Sequence, residues 1–313
     1  MSGGIVSIVI QRRRSQNPSE PPMSRLFPVL LLLSCLAVEA AEAPPPRKRA
    51  DVETVLKLAP PLAAGTTLRP LHLLLVAGPK DHGPGEHDYP AWQRQWAPLL
   101  AKANNVRVST AFAWPKPEQW EGVDVAVFYL KTQWDAAQLA DIKRHQDRGG
   151  GVVTIHWAIG CDQDWEKHAQ RFGLSYRAAS YRHGPVALKL AEPEHPVALG
   201  LPQTMAFVDE PYWPFIGDPS KIRVLATSDE QINRGDDRRQ NPGDDTVQTV
   251  PVFWTYQPPD TQARVFVSIF GHYLWTFDDP YFRLLLLRGI AWAARDYPYR
   301  FDALAVDGIK LEE

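Results

Sequence analysis

Four short stretches carry side chains able to move protons or hold a metal ion. The first is Gly78-Pro79-Lys80-Asp81-His82-Gly83-Pro84-Gly85-Glu86-His87-Asp88-Tyr89, where His82 and His87 are candidate ligands or acid/base groups. Its two prolines remove amide donors and its glycines have neither dinucleotide nor P-loop spacing, which argues against phosphate cradling. The second is Thr154-Ile155-His156-Trp157-Ala158, with His156 at the end of an apolar run. The third is Val208-Asp209-Glu210-Pro211-Tyr212-Trp213, two adjacent acids among aromatics. The fourth is Ser268-Ile269-Phe270-Gly271-His272-Tyr273-Leu274-Trp275, with His272 behind a glycine. Imidazoles change charge near neutrality and suit proton transfer beside a carbonyl. His156 is expected as the acid/base, with His272, Glu210 and Asp209 as partners. Three imidazoles, His87, His156 and His272, with one carboxylate can also hold zinc or another divalent ion, although no H-x-x-x-H spacing supports it. Bland alternatives stand beside each. His82 or His87 can cap a helix or face solvent, His156 can be a satisfied core histidine, and one of the acids can cap a turn while the other pairs with an arginine.

The elements that must place these residues are legible as alternating strands and helices. His72–Ala77 is an apolar run ended by Gly78-Pro79, as a buried parallel strand should be. Residues 89–103 have helical spacing, with Trp92, Trp96, Leu99 and Leu100 on one face. Strands are expected at 106–113, 123–130 and 152–155, and helices at 136–148 and 162–172. The first of these helices stops at Gly149-Gly150-Gly151. This rhythm predicts a doubly wound α/β sheet of flavodoxin type, whose ligands bind beyond the carboxyl ends of the strands. Beyond residue 180 short strands are expected at 186–190, 222–227, 251–256 and 264–270, joined by long loops. The last two form a hairpin around Gln257-Pro258-Pro259-Asp260. A helix over 280–295, with Pro280 in its first turn, closes the domain.

The first 43 residues read as a processing segment. Arg25 precedes the apolar run Leu26–Leu33, too short to span a membrane but suited to a signal peptide. Met23 is then a candidate true start. Cleavage after Ala40 competes with a lipobox, Leu32-Leu33-Ser34-Cys35, that would lipidate Cys35. The chain is expected to be exported, as a periplasmic or lipid-anchored protein with no transmembrane helix after processing. Residues 44–67 read as a stiff, basic linker and lead-in, 68–298 as the domain and 299–313 as a tail. With two cysteines, Cys35 and Cys161, neither a disulfide framework nor a Cys-rich zinc site is available. A formal charge of −2 provides no basic field for nucleic acid. Eleven tryptophans favour either sugar stacking or core packing.

Taken together, these stretches resemble the ThuA-like (trehalose utilisation) family. The resemblance is carried by Gly85-Glu86-His87-Asp88-Tyr89, Asp124-Val125-Ala126-Val127-Phe128, Gly149-Gly150-Gly151-Val152-Val153-Thr154-Ile155-His156-Trp157-Ala158 and His195-Pro196. Asp209-Glu210-Pro211-Tyr212, Pro251-Val252-Phe253-Trp254, Arg264 through His272 and Arg288-Gly289-Ile290-Ala291-Trp292-Ala293 continue it. It runs from about Leu71 to Ala294 and implies a class I glutamine amidotransferase-like fold. In that fold the strand before the nucleophile ends in a Gly-x-Cys-x-Gly elbow. Here His156 takes the cysteine position, Cys161 lies five residues on, and no Pro-Glu follows His272. Thioester hydrolysis of glutamine therefore lacks its nucleophile.

The resemblance implies a small-molecule carbohydrate as ligand, with substrate contacts expected from His82, His87, Tyr89, Trp157, Tyr212, Trp213 and Trp275. Two readings follow. One is an enzyme — an isomerase, epimerase, lyase or hydrolase — acting on a sugar or keto-sugar derivative, alone or with a divalent metal such as zinc. The other is a non-catalytic carbohydrate-binding or scaffold module, which would tolerate loss of His156. A homo-oligomer is open under either.

Overall fold

The structure, a computed structural model, describes residues 42–233 and 246–313. The expected export segment, with Met23 and Cys35, lies outside the described residues except for Glu42 and Ala43.

Apolar runs with no polar alternation become strands buried on both faces. They are β1 (Leu71–Ala77), β3 (Val125–Tyr129), β4 (Gly151–Ile155) and β11 (Val265–Ser268), every residue of which is buried. β2 (Val106–Phe112) is half-exposed because it lies at the sheet edge. The order β2-β1-β3-β4-β11 is parallel throughout. Both faces are covered, and the alternation of adjacent residues shows how. Tyr129 packs on Trp92 of α2 (Tyr89–Ala101), whereas Phe128 packs on Trp114 and Trp134. Trp134 leads into α3 (Ala136–Asp147) and touches Phe172 of α4 (Trp165–Phe172). α5 (Pro280–Ala293) is apolar nearly all round and correspondingly buried, and it packs on β3, β4 and β11. Asp279 caps it by accepting from the amides of Tyr281 and Phe282.

In the second half, antiparallel strands extend the same sheet as β10-β9-β6-β7. β6 is Gly184–Leu190, β7 Thr204–Asp209, β9 Arg223–Gln231 and β10 Val247–Tyr256. The hairpin of β10 and β11 forms as expected. A separate two-stranded sheet pairs β5 (Leu174–Tyr181) with β8 (Tyr212–Gly217). β7 and β8 were expected as loop, and β5 was not assigned. Their sequences interrupt apolar residues with Ser, Arg, Pro and Asp, and their pairing partners are distant in sequence.

The stretch read as a linker and lead-in is packed. It contains α1 (Arg49–Leu58), whose Val52 and Val55 are buried. Arg47 bonds Asp279 at 2.8 Å and lies over the rings of Phe207 and Tyr281. The stretch read as a tail is packed too. Phe301 is buried, and Asp302 pairs with the buried guanidinium of Arg288 at 2.7 Å. Among the described residues no helix is long and apolar enough to cross a membrane.

Candidate functional site

Three strand ends and one loop converge. β4 ends at Ile155, and the chain turns at once into a 3-10 turn, His156–Ile159. His156 sits at φ +55°, a left-handed conformation costly for a residue with a Cβ, as at the elbow where a strand meets a helix. Its parallel neighbour β11 runs on through Gly271 at φ +131° to His272. A Cβ on Gly271 would meet Ile155 Cγ2 at 2.8 Å, so glycine is required there. Beyond β1, the loop carrying His87 is sewn to the His272 segment. The His87 amide donates to the His272 carbonyl at 2.9 Å and the Leu274 amide to Gly85 at 2.7 Å. His87, at φ +41°, is followed by Asp88, which caps α2 by accepting from the Ala91 amide.

The centre is buried. His87, His156, Glu210 and His272 are each at most 4% exposed, and each offers one ligand atom within 4.8 Å of all the others. Glu210 Oε2 lies 3.0 Å from His156 Nε2 and 2.8 Å from His272 Nδ1, the latter off the alignment of a hydrogen bond. The Tyr212 hydroxyl lies 2.7 Å from His156 Nε2 and 3.1 Å from Glu210 Oε2. His156 Nδ1 is 2.7 Å from the Ile269 carbonyl, which can only accept, so that nitrogen carries the hydrogen. His87 Nδ1 likewise faces Asp81 Oδ1 at 2.9 Å. Both rings therefore turn an Nε2 lone pair inward, and the two Nε2 atoms are 2.8 Å apart.

Burial by itself would raise the Glu210 carboxyl, but its contacts with His156 and His272 outweigh this and hold it well below the usual carboxylate range. Burial likewise opposes ionisation of Asp81, and bonds to His82 and His87 reverse it, keeping Asp81 a carboxylate. Burial takes His87 down to about 3, against the bond to Asp81. Burial and then the Glu210 charge push the Tyr212 phenol well up, so it remains a donor. The centre holds inward lone pairs and a carboxylate, with the Tyr212 hydrogen available to them.

The profile of the family described as ThuA, trehalose utilisation, matches residues 80–293. The chain belongs to the ThuA family. A ThuA-like protein from Parabacteroides merdae ATCC 43184 is 21% identical, with 72% of this chain aligned to 90% of that one at a TM-score of 0.52. One from Bacteroides uniformis ATCC 8492 is 17% identical over 74% of this chain and 95% of its own, at a TM-score of 0.56. A glutamine amidotransferase from Thermotoga maritima is 11% identical over 76% of this chain and 99% of that one, at a TM-score of 0.38. Among curated proteins no relative matches. The family is associated with trehalose utilisation, hence with carbohydrate metabolism.

In this ThuA-family chain the cluster unites His87, His156, Glu210, His272 and Tyr212, five residues singled out in the sequence. His82 stands on its rim, exposed, 2.9 Å from Asp81 and with its ring 3.8 Å from that of His87. Trp157 is half-buried and stands edge-on to Tyr212. Four expectations are corrected. Asp209 is not a reacting group; it accepts from the amides of Glu210, Gly271 and His272 and from the Thr276 hydroxyl, and so fixes the His272 turn. Tyr89 is fully buried with its ring against Tyr129 and 5.5 Å from that of His87, so it packs behind His87 rather than lining the rim. Trp213 follows Tyr212 on a strand and so points the other way, donating to the Ile232 carbonyl. Trp275 stacks on Tyr273 and lines a crevice with Pro44, Pro45 and Arg47. Sequence reasoning missed Asp81 as the His87 orienter and His183, whose Nε2 is 3.4 Å from Glu210 and whose ring is 4.7 Å from His272. His183 had no signal, since it precedes β6 in a stretch without periodicity. Cys161 stands outside the cluster set, its thiol directed at the Gln163 carbonyl and raised by burial.

Proposed function

We propose that this ThuA-family chain is an enzyme that moves a proton on a sugar or keto-sugar derivative, by isomerisation, epimerisation, elimination or hydrolysis, and has no glutaminase activity. One observation carries the reading. His156 is held in a single tautomer by the Ile269 carbonyl, at the end of a strand, with its Nε2 lone pair 2.7 Å from the Tyr212 hydroxyl. A base preset in this way accepts a proton without first reorganising. Tyr212 is the adjacent donor, able to protonate the oxygen of an enolised carbonyl. His82 and Trp157 supply rim contacts to the ring. The activity is placed outside the cytoplasm, periplasmic or lipid-anchored, on the leader-like residues 1–43.

The test is hydrogen exchange. Wild-type protein is incubated in D2O with a panel of aldoses, ketoses and keto-disaccharides and followed by NMR. Deuterium should enter the carbon beside the carbonyl of at least one member. His156→Ala should slow this by about 10²–10⁴-fold, the usual weight of a positioned acid/base group. Undiminished turnover in that variant would sink the role of His156, and sugar binding without exchange or product would favour the carbohydrate-binding module.

A further inference from the structure

We infer that His87, His156, His272 and Glu210 form a binding site for one divalent transition-metal ion of the zinc class. This deepens the proposed function and uses the same site, but it stands on ligand geometry rather than on turnover.

The four groups come from four separate stretches and converge with their ligand atoms within 4.8 Å. Three nitrogens and one carboxylate oxygen are a donor set that zinc and its neighbours favour over calcium or magnesium. The surroundings resemble what metal-binding histidines need. A ligating imidazole usually donates its other N–H to a carboxylate or a backbone carbonyl, which fixes the ring and strengthens the ligand. His87 does so to Asp81 and His156 to Ile269. The arrangement thus leaves two Nε2 lone pairs facing each other at 2.8 Å, with the Glu210 carboxylate 3.0 Å from one of them. At that distance a positive centre must stand between the two nitrogens, and a metal ion or a proton can supply it. Tyr212 has one hydrogen, and it cannot satisfy His156 and Glu210 together with the His87 nitrogen. Two nitrogens bound at about 2.0–2.1 Å to a tetrahedral ion are roughly 3.3 Å apart, so His87 and His156 need to part by only about 0.5 Å. Left-handed backbone at both residues, φ +41° and +55°, is the kind of cost that is retained where a side chain must be aimed.

An ion here would supply Lewis-acid chemistry to a sugar carbonyl. The chain's own contribution is to bury the donors, to hold the ligand tautomers through Asp81 and Ile269, and to keep the Tyr212 hydroxyl at the carboxylate's side.

The experiment is metal binding. Full-length chain purified without a histidine tag is stripped with chelator and titrated with Zn²⁺ against a chromophoric chelator. Co²⁺ is used in parallel for its ligand-field spectrum. The expected result is one ion per chain, a tetrahedral or five-coordinate Co²⁺ spectrum and a raised melting temperature. Glu210→Gln, which keeps size and hydrogen bonding, should weaken binding by at least about tenfold, and His156→Ala by more. Circular dichroism establishes that each variant is folded, and Glu210→Gln keeps the test decisive if His156→Ala is not. Asp81, His82 and His87 make a rival cluster at the rim, so His82→Ala should leave the affinity unchanged. Three results would overturn the site: no stoichiometric binding by wild type, equal affinity in Glu210→Gln, or binding abolished by His82→Ala. Stoichiometric binding with no exchange on any sugar would leave the metal site standing and remove the proposed function. Exchange by a wild-type protein that binds no metal would do the opposite.

Discussion

Asp209→Ala should destabilise the chain more than any single change at the rim of the site. One carboxylate oxygen accepts three amides, from Glu210 at 2.8 Å, Gly271 at 3.1 Å and His272 at 3.1 Å. The other oxygen accepts the Thr276 hydroxyl at 2.5 Å and shares the Gly271 amide at 3.2 Å. Asp209 and its partners are buried, so water does not replace it freely. The threonine hydroxyl can rotate, but the three amides cannot. Each stranded amide costs about 1–3 kcal/mol, and partial hydration takes the total to the lower part of that sum, roughly 4 kcal/mol. That is a large part of the ~5–15 kcal/mol that stabilises a typical domain. Asp209→Asn is the control. Its carbonyl keeps the three amides and its NH2 donates to Thr276, so only the charge assistance and one shared contact go, at about 1–2 kcal/mol. Urea unfolding followed by tryptophan fluorescence at neutral pH reads both. The order should be wild type, then Asn, then Ala. A loss under about 1 kcal/mol in Asp209→Ala, or equal losses in the two variants, would refute the idea that this carboxylate holds the His272 turn.

Other consequences follow from buried groups. His168 is fully buried against Phe172 and Trp134 with neither ring nitrogen bonded, and burial lowers it from 6.5 to about 3. Its neutral form is the folded form, so its contribution is complete above pH 6.5 and is lost as pH falls from there towards 3. The loss is about 2 kcal/mol at pH 5, and His168→Leu should flatten that acid limb in urea melts across pH. An unchanged pH slope would count against it. Arg288→Met should cost about 3–5 kcal/mol by stranding buried Asp302, and Arg288→Met with Asp302→Leu should recover much of it in a double-mutant cycle. Gly271→Ala should cost about 1–3 kcal/mol through its φ of +131° and the Ile155 contact, and should weaken metal binding with it. Tyr212→Phe should slow exchange on a keto-sugar while leaving the melting temperature within a few degrees; a matched loss of both would make Tyr212 a packing residue only.

The parallel half of the sheet was legible because each strand is local and complete in its own apolar run. Leu71–Ala77 and Gly151–Ile155 announce themselves without reference to any partner. The antiparallel half was less so. Thr204–Asp209 and Tyr212–Gly217 are strands only because β6 and β5 lie beside them, and pairing between distant segments leaves a weak mark on local composition. The packed ends of the domain were hidden for the same reason, since Arg47 and Phe301 take their places from surfaces assembled elsewhere.

What the sequence alone determined was the fold class, the family and the histidines at strand ends. A residue after an apolar strand must lie at the sheet's carboxyl edge whatever its partners are. Which of those residues meet was decided only in three dimensions. Strand alternation aimed Tyr212 at His156 and Trp213 away from it, the edge of a turn took Asp209 out of the chemistry, and His183 arrived from a stretch with no pattern. Direction and distance across separate elements depend on how the strands register and how the loops close, and a one-dimensional pattern carries neither.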